Sequence, residues 1–261
     1  MPDPNLLRVG ISELFFYPTV TCKVTVEGAG AGTARKERRA CESMSDKIKY
    51  TAKAHRRYKT SDGKSVPGAT TVTGLLGKPW LVKWANNLGL EGIDSSTYID
   101  ESAKIGTLAH AMIQADLQGM ELDESRYSPL QIDLAENALI SFFEWKSRHR
   151  IEPVHCEVPF VSDRMRYGGT IDCYCILDGR PTLLDFKTGK AIYEENFVQL
   201  AAYAELLRES GLEVAETRVL RVGRDAAEGF EERCTADTRA WFEIFRRLLD
   251  VYWLKKELGW K

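Results

Sequence analysis

The spacing of apolar residues along the chain predicts helices in four places. Between about residues 98 and 118 the apolar side chains recur every three or four positions, which indicates a helix with one buried face. The same period returns at about 129–149, 193–209 and 237–258. Most of these apolar residues are therefore expected to belong to a core rather than to a functional site.

A change to a period of two after Pro153 predicts strands. Apolar and polar residues alternate over 154–160, as in a half-buried strand that carries Glu157 on its other face. Residues 167–177 and 182–187 are two further strands, and the Asp-Gly-Arg-Pro segment between them has the composition of a tight turn. This pattern predicts an antiparallel hairpin, with 214–222 as a candidate for one more strand.

The composition is that of a globular protein rather than a disordered or fibrous one. The chain has 261 residues, of which 44% are hydrophobic and 28% are charged. No apolar run approaches the roughly 20 residues that a membrane-spanning helix needs, and the first residues lack the layout of a secretory signal. We therefore expect a cytoplasmic protein with no membrane partner.

Residues 1–50 differ in character from the rest and are interpreted as a loosely held extension ahead of a domain at 51–261. The Gly-rich stretch at 27–33 is not followed by Gly-Lys-Ser/Thr, so a flexible linker is favoured over a phosphate-binding loop. Residues 35–59 hold ten Lys and Arg against three Asp and Glu, although the whole chain has a net charge of -2. This basic window either guides a polyanion or keeps a tail solvated.

The predicted hairpin holds the most suggestive group of polar residues. Asp185 and Lys187 are two apart on one strand, so their side chains share a face, and antiparallel pairing can bring Asp172 of the partner strand towards them. Two converging carboxylates repel unless a cation holds them, and oxygen ligands with open water positions suit Mg²⁺ or Mn²⁺. A lysine beside such an ion can stabilise charge on a phosphate or orient an attacking water.

Each of these residues also has an ordinary structural interpretation. An Asp-x-Lys ion pair at the end of a strand is common, and a single histidine on an apolar helix, such as His110, is often structural. Glu157 can equally lie on the surface. Gln199 and Tyr203 share one helix face and, taken alone, are a routine helix surface.

In their order along the chain, these motifs resemble the RecB-type branch of the PD-(D/E)XK nuclease superfamily. By element order the resemblance covers residues 66 to 258, and the motifs that carry it lie between His110 and Tyr203. They are His110, Glu157, Gly-Thr-Ile-Asp172, Asp185-Phe-Lys187 and Gln199-x-x-x-Tyr203.

The resemblance implies a restriction-endonuclease-like core, an α/β fold with a mixed central sheet flanked by helices. It also implies metal ligation by three side chains and one backbone carbonyl, namely His110, Asp172, Asp185 and the carbonyl of Phe186. Lys187 is implied as the catalytic lysine, acting with Asp172 and Asp185. Glu157 is implied as the acidic residue of the preceding strand, and Gln199 and Tyr203 as residues that contact DNA and order the site.

The cysteines separate this chain from family members that carry an iron-sulfur cluster. Such members have one cysteine ahead of the core and three beyond it, whereas here only Cys234 follows Lys187. None of the six cysteines forms a C-x-x-C pair. We expect reduced thiols and no iron-sulfur cluster.

The implied function is an Mg²⁺- or Mn²⁺-dependent deoxyribonuclease, with exonuclease favoured over endonuclease by family analogy. No helicase motif is present, so the chain is similar to the stand-alone exonucleases of phages and mobile elements, and in layout to the mitochondrial genome-maintenance exonuclease. The expected partner is DNA, either single-stranded or with free ends, and the oligomeric state stays open. A catalytically inactive DNA-binding module on the same scaffold is the alternative, and an assembly protein is a third.

Overall fold

The computed structural model describes residues 49–50 and 57–260. All of them belong to one compact unit, Lys47–Lys261. The predicted loose extension at 1–50 lies outside the described residues except for its last two, and most of the basic window at 35–59 lies outside them as well. The elements before the main sheet are β1 (Lys49–Tyr50), β2 (Tyr58–Lys59), β3 (Ser65–Val66), α1 (Ala69–Thr73), α2 (Trp80–Leu90), α3 (Ser95–Gln118), β4 (Glu121–Leu122) and α4 (Pro129–Lys146).

A five-stranded mixed sheet organises the rest of the fold. Its strands are β5 (Ile151–Ser162), β6 (Tyr167–Leu177), β7 (Arg180–Lys187), β8 (Glu216–Val222) and β9 (Phe230–Thr235), in that spatial order. Within this sheet, only β7 and β8 pair in parallel. The helix α5 (Glu194–Glu209) makes the crossover between them that parallel pairing requires. The last element is α6 (Arg239–Glu257). The predicted mixed α/β fold, its hairpin and its four long helices are confirmed.

Helices cover both faces of this sheet. One hydrophobic cluster joins the sheet to α1, α5 and α6, and a second joins the opposite face to α3 and α4. Neighbouring residues of β7 divide between them, since Leu183 belongs to the first cluster and Leu184 to the second. The central strand is therefore buried on both sides.

The alternation predicted for residues 154–160 is wrong in one respect. Cys156 packs with the α3/α4 cluster, but Phe160 packs with the α5/α6 cluster, although strict alternation would put both on one face. Glu157, between them, has a left-handed backbone with φ of 55°. The strand therefore changes face at Glu157, and β6 does the same between Ile171 and Cys173.

Two elements carry no clear sequence signal. The strand β9 reads Phe-Glu-Glu-Arg-Cys-Thr and lies at the sheet edge, so no apolar alternation marks it. The helix α2 was not predicted, and none of its residues is buried.

No described helix combines the length and apolar character that a membrane crossing demands. The four described cysteines are free thiols: Cys156, Cys173 and Cys175 are buried, and Cys234 is exposed. Cys22 and Cys41 lie outside the described residues.

Candidate metal centre

The candidate site lies where the pairing of β6 with β7 ends, which we call the fork. The last paired residues are Cys173 and Leu184, so Asp172 and Asp185 are the first residues beyond the ladder. The backbone N–H of Phe186 donates to Asp172 Oδ2 over 2.7 Å. The side chain of Asp172 thus accepts a backbone hydrogen bond at the point where the ladder between the two strands has ended.

His110 reaches the fork from the α3 side of the sheet. Its Nδ1 lies 3.6 Å from Asp172 Oδ2, and its ring meets the ring of Phe186 edge to face. Burial opposes a charged imidazole, but the facing carboxylate of Asp172 outweighs burial and raises the pKa of His110. Burial alone would raise the pKa of Asp172, yet the charges of His110 and Lys187 and the Phe186 amide hold it below its usual value.

Glu157 joins His110 and Asp172 because its backbone is left-handed. These three residues each offer a ligand atom, and the three atoms lie within 4.8 Å of one another. A left-handed conformation at a non-glycine residue costs about 1–3 kcal/mol and is found mostly at functional sites. Sequence reasoning placed Glu157 near the site but could not group it with the metal-binding candidates, because glutamate carries no signal for this backbone.

Asp185 lies deeper in the fork, with its side chain only 1% exposed. Lys187 Nζ lies 2.5 Å from Asp185 Oδ2, so the ammonium and the carboxylate form a close ion pair. Burial raises the pKa of Asp185 to about 6, against the attraction of Lys187. Burial would lower the pKa of Lys187, but the carboxylates of Asp185 and Asp172 raise it overall.

Gln199 and Tyr203 reach Asp185 from α5, on the other face of the sheet. Gln199 Nε2 donates to Asp185 Oδ1 over 3.2 Å and to the Tyr203 hydroxyl over 3.0 Å. The Tyr203 ring lies flat against the strand at Gly169, where an added Cβ would stand 2.3 Å from the ring. Gly169 therefore makes room for this hydrogen-bond chain, a role that the sequence alone did not reveal.

The fork thus brings together the side chains that sequence analysis singled out. They are His110, Glu157, Asp172, Asp185, Lys187, Gln199 and Tyr203. Asp185 does not belong to the three-residue group with mutually close ligand atoms, because its carboxylate is turned to Lys187 and Gln199. Their chemical roles, and ligation by the Phe186 carbonyl, stay predictions.

The residues at the fork suit a divalent cation. Asp185 and Asp172 are neighbouring carboxylates whose charges repel each other, and a cation between them would offset that repulsion. The other donors, Asp172, Glu157 and His110, are oxygen and imidazole groups of the kinds that Mg²⁺ and Mn²⁺ accept. Both observations point to one ion site at the fork.

Comparison with known proteins supplies a family. A family model described as the PD-(D/E)XK nuclease superfamily matches residues 83–253. No curated protein matches the chain. Two solved structures are distantly similar: an alkaline exonuclease from Laribacter hongkongensis (10% identity, 58% of this chain and 78% of that chain, TM-score 0.35) and a protein of Eubacterium rectale described as a candidate exonuclease (11% identity, 60% and 69%, TM-score 0.38).

Proposed function

The chain belongs to the PD-(D/E)XK nuclease superfamily, and from this premise we propose that it is a divalent-metal-dependent deoxyribonuclease. The observation that carries the proposal is the fork, where His110, Glu157 and Asp172 group their ligand atoms and Asp185 pairs with Lys187. Clustered carboxylates repel each other and would repel a phosphate. An ion bound between them removes both difficulties, so the cluster is suited to hydrolysis rather than to structural support.

We assign the residues of the fork as follows. His110, Asp172, Asp185 and the backbone carbonyl of Phe186 would hold the ion, which when bound supplies a water of lowered pKa and positive charge for the phosphate. Glu157 is close enough to His110 and Asp172 to take part.

The remaining residues position the reacting groups. The ammonium of Lys187 supplies a second positive charge for the phosphate or orients the attacking water. Gln199 fixes the rotamer of Asp185 through its 3.2 Å hydrogen bond, and Tyr203 in turn fixes Gln199. We propose that this pair also contacts the DNA.

We further propose an exonuclease of the RecB-type branch, with Mg²⁺ or Mn²⁺ as the ion and DNA ends as the substrate. The support is the order of motifs from His110 to Tyr203. Replication, recombination or repair of phage or mobile-element DNA in a bacterial cytoplasm is the setting proposed on the same basis.

The test is digestion of linear DNA with Mg²⁺ or Mn²⁺. We expect Asp185→Ala and Lys187→Ala to lower the rate by about 10²–10⁴-fold. The control is Lys256→Ala, which removes an exposed lysine at the end of α6 and should cut at the parent rate. Unchanged digestion by both fork variants, with intact far-UV circular dichroism, would show that the site lies elsewhere.

End-labelled single-stranded, duplex and circular DNA separate the finer alternatives. An exonuclease leaves circular DNA intact while it shortens linear strands, and an endonuclease cuts both. Binding without cleavage across several divalent ions would instead favour the second candidate, a catalytically inactive DNA-binding module.

A further inference from the structure

Arg224 is a partly buried cation that has no carboxylate partner among the described residues. It follows β8, whose own two arginines each have a carboxylate partner. Arg218 pairs with Glu216, and Arg221 pairs with Glu231. Glu228, which is near Arg224, pairs with Lys190 and accepts only the backbone N–H of Arg224. Among the described residues the Arg224 guanidinium therefore forms no direct ion pair, and Glu228 attracts it only from a longer distance.

The Arg224 guanidinium also has unused hydrogen-bond donors. Its Nη2 donates to the Ser102 carbonyl over 2.8 Å and to Thr188 Oγ1 over 2.7 Å. Its Nε is buried and has no partner among the described residues. Because burial without a counter-charge is costly, it lowers the pKa of Arg224. An arginine kept in such a state is suited to receive an anion.

The guanidinium lies next to the fork. Thr188, which it contacts, directly follows Lys187. On α3, a Cβ added to Gly106 would lie 3.3 Å from Arg224 Nη2 and 3.1 Å from Thr188 Oγ1, so this glycine permits the close approach. Gly106 precedes His110 by four residues, which is about 6 Å along the helix axis. Arg224 is thus about one helical turn from the candidate metal ligands.

We propose that Arg224 is a substrate-binding residue that grips a phosphate group of the DNA strand beside the phosphate that is cleaved. This inference rests on the nuclease function proposed above. A guanidinium N–H can donate a charge-assisted hydrogen bond to a phosphate oxygen, which gives direction as well as charge. The contacts to Ser102 and Thr188 hold one edge of the guanidinium to the protein and leave Nη1 for the ligand.

DNA binding distinguishes a phosphate-binding Arg224 from one that only connects α3 to Thr188. Binding of a fluorescent single-stranded oligonucleotide is measured by anisotropy in Ca²⁺ over a series of salt concentrations, with strand integrity checked by electrophoresis. We expect Arg224→Gln to weaken binding about 10- to 100-fold at low salt. The slope of log K against log salt should become shallower by about 0.7, because one phosphate contact is lost.

Two control variants separate charge from bracing. Thr188→Val removes the hydroxyl that accepts from Arg224 but keeps the charge, so the salt slope should stay at the parent value. Arg239→Gln removes a cation that is 90% exposed at the start of α6, and should alter neither affinity nor slope. Equal slopes for the parent and a folded Arg224→Gln would overturn the proposal.

One more variant and two further measurements distinguish the remaining results. If Arg224→Gln does not fold, Arg224→Lys keeps the charge without the planar group, and weaker binding at an unchanged slope is expected; parent affinity would overturn the proposal. Strands with and without terminal phosphates show whether the ligand is a terminal monoester or an internal phosphodiester. A parent that cleaves in Mn²⁺ while Arg224→Gln binds normally contradicts this inference alone, whereas a parent that does not cleave contradicts the nuclease function.

Discussion

Asp185 is the residue at which the requirements of the site and those of the fold conflict most directly. It is almost fully buried, its only ion-pair partner among the described residues is Lys187, and Asp172 adds a second negative charge nearby. An ion at the fork would relieve this cost, whereas the metal-free protein has to bear it. Stability measured without metal is therefore a test of the site that does not depend on activity.

The pH dependence of stability follows from the raised pKa of Asp185. Burial, opposed by Lys187, raises it from 3.8 to about 6, so the folded state binds the proton more tightly than the unfolded state does. The free energy of unfolding accordingly falls as pH rises from about 4 to 6 and stays reduced above that. In EDTA at pH 8 we expect Asp185→Asn to raise the Tm by on the order of 5 °C.

This gain in Tm should shrink as the pH falls from 6 to 4, because protonation of folded Asp185 removes the buried charge, and at pH 5 it should be about half of its value at pH 8. Differential scanning fluorimetry at both pH values measures the effect, and Asp250→Asn, at an exposed site on α6, should show no such dependence. A gain that is equal at both pH values would mean that burial of charge is not its cause.

Gly169 offers a second test at the residue scale. An added Cβ would stand 2.3 Å from the Tyr203 ring, so Gly169→Ala must push the ring away and break the chain from Tyr203 through Gln199 to Asp185. We expect a loss of about 1–3 kcal/mol in the free energy of unfolding and a fall in kcat. Gly77→Ala is the control, because an added Cβ there meets open space. Denaturant unfolding and steady-state kinetics measure both effects, and parent-like kcat in Gly169→Ala would contradict the positioning role.

At the scale of elements, the sequence predicts the helices and strands that leave a regular pattern or a turn signal in it. The four long helices show a regular period of three or four, so their spacing is visible in the sequence. The hairpin of β6 and β7 is marked instead by the turn residues between its strands, because β6 changes face and β7 is buried on both sides. The edge strand β9 has no apolar alternation.

The candidate site shows the same limit. Asp172, Asp185 and Lys187 could be related through strand pairing, because two-residue spacing fixes direction. The change of face at Glu157 depends on a left-handed backbone that only tertiary contacts can maintain, and the proximity of Arg224 depends on a glycine of a distant helix. Neither can be deduced from local residue spacing.

The helix α2 should be the least protected of the long helices. It has no buried residue, and the contacts at its start are the Trp80–Tyr193 ring stack and the Lys78–Glu195 ion pair. By contrast, most residues of α5 are buried. Hydrogen exchange should therefore be fastest in α2, and Trp80→Ala should speed it further without changing α5. Equal protection of α2 and α5 in the parent would show that α2 is covered in solution.

At the scale of the whole molecule, the two hydrophobic clusters share one sheet and should unfold together. Phe142 in the α3/α4 cluster and Phe245 in the α5/α6 cluster are both fully buried. Leu183 and Leu184 of β7 belong to different clusters, so loss of either cluster exposes the same strand. We expect Phe142→Ala and Phe245→Ala each to cost about 3–5 kcal/mol, in a single urea transition that tryptophan fluorescence and circular dichroism report alike. Phe143→Ala, at a neighbouring side chain that is 43% exposed, should cost much less, and two separate transitions would contradict the shared core.

The same pair of variants should differ in catalysis. The Phe142 ring packs edge to face on Phe186, with centroids 5.8 Å apart, and Phe186 stands between Asp185 and Lys187 on β7. Phe245 instead packs on Tyr167, at the far end of the part of β6 that does not pair with β7. At a temperature where both variants are fully folded, Phe142→Ala should therefore lower kcat more than Phe245→Ala. Equal kcat values at matched folded fractions would mean that the α3/α4 cluster supports the fold without positioning the fork.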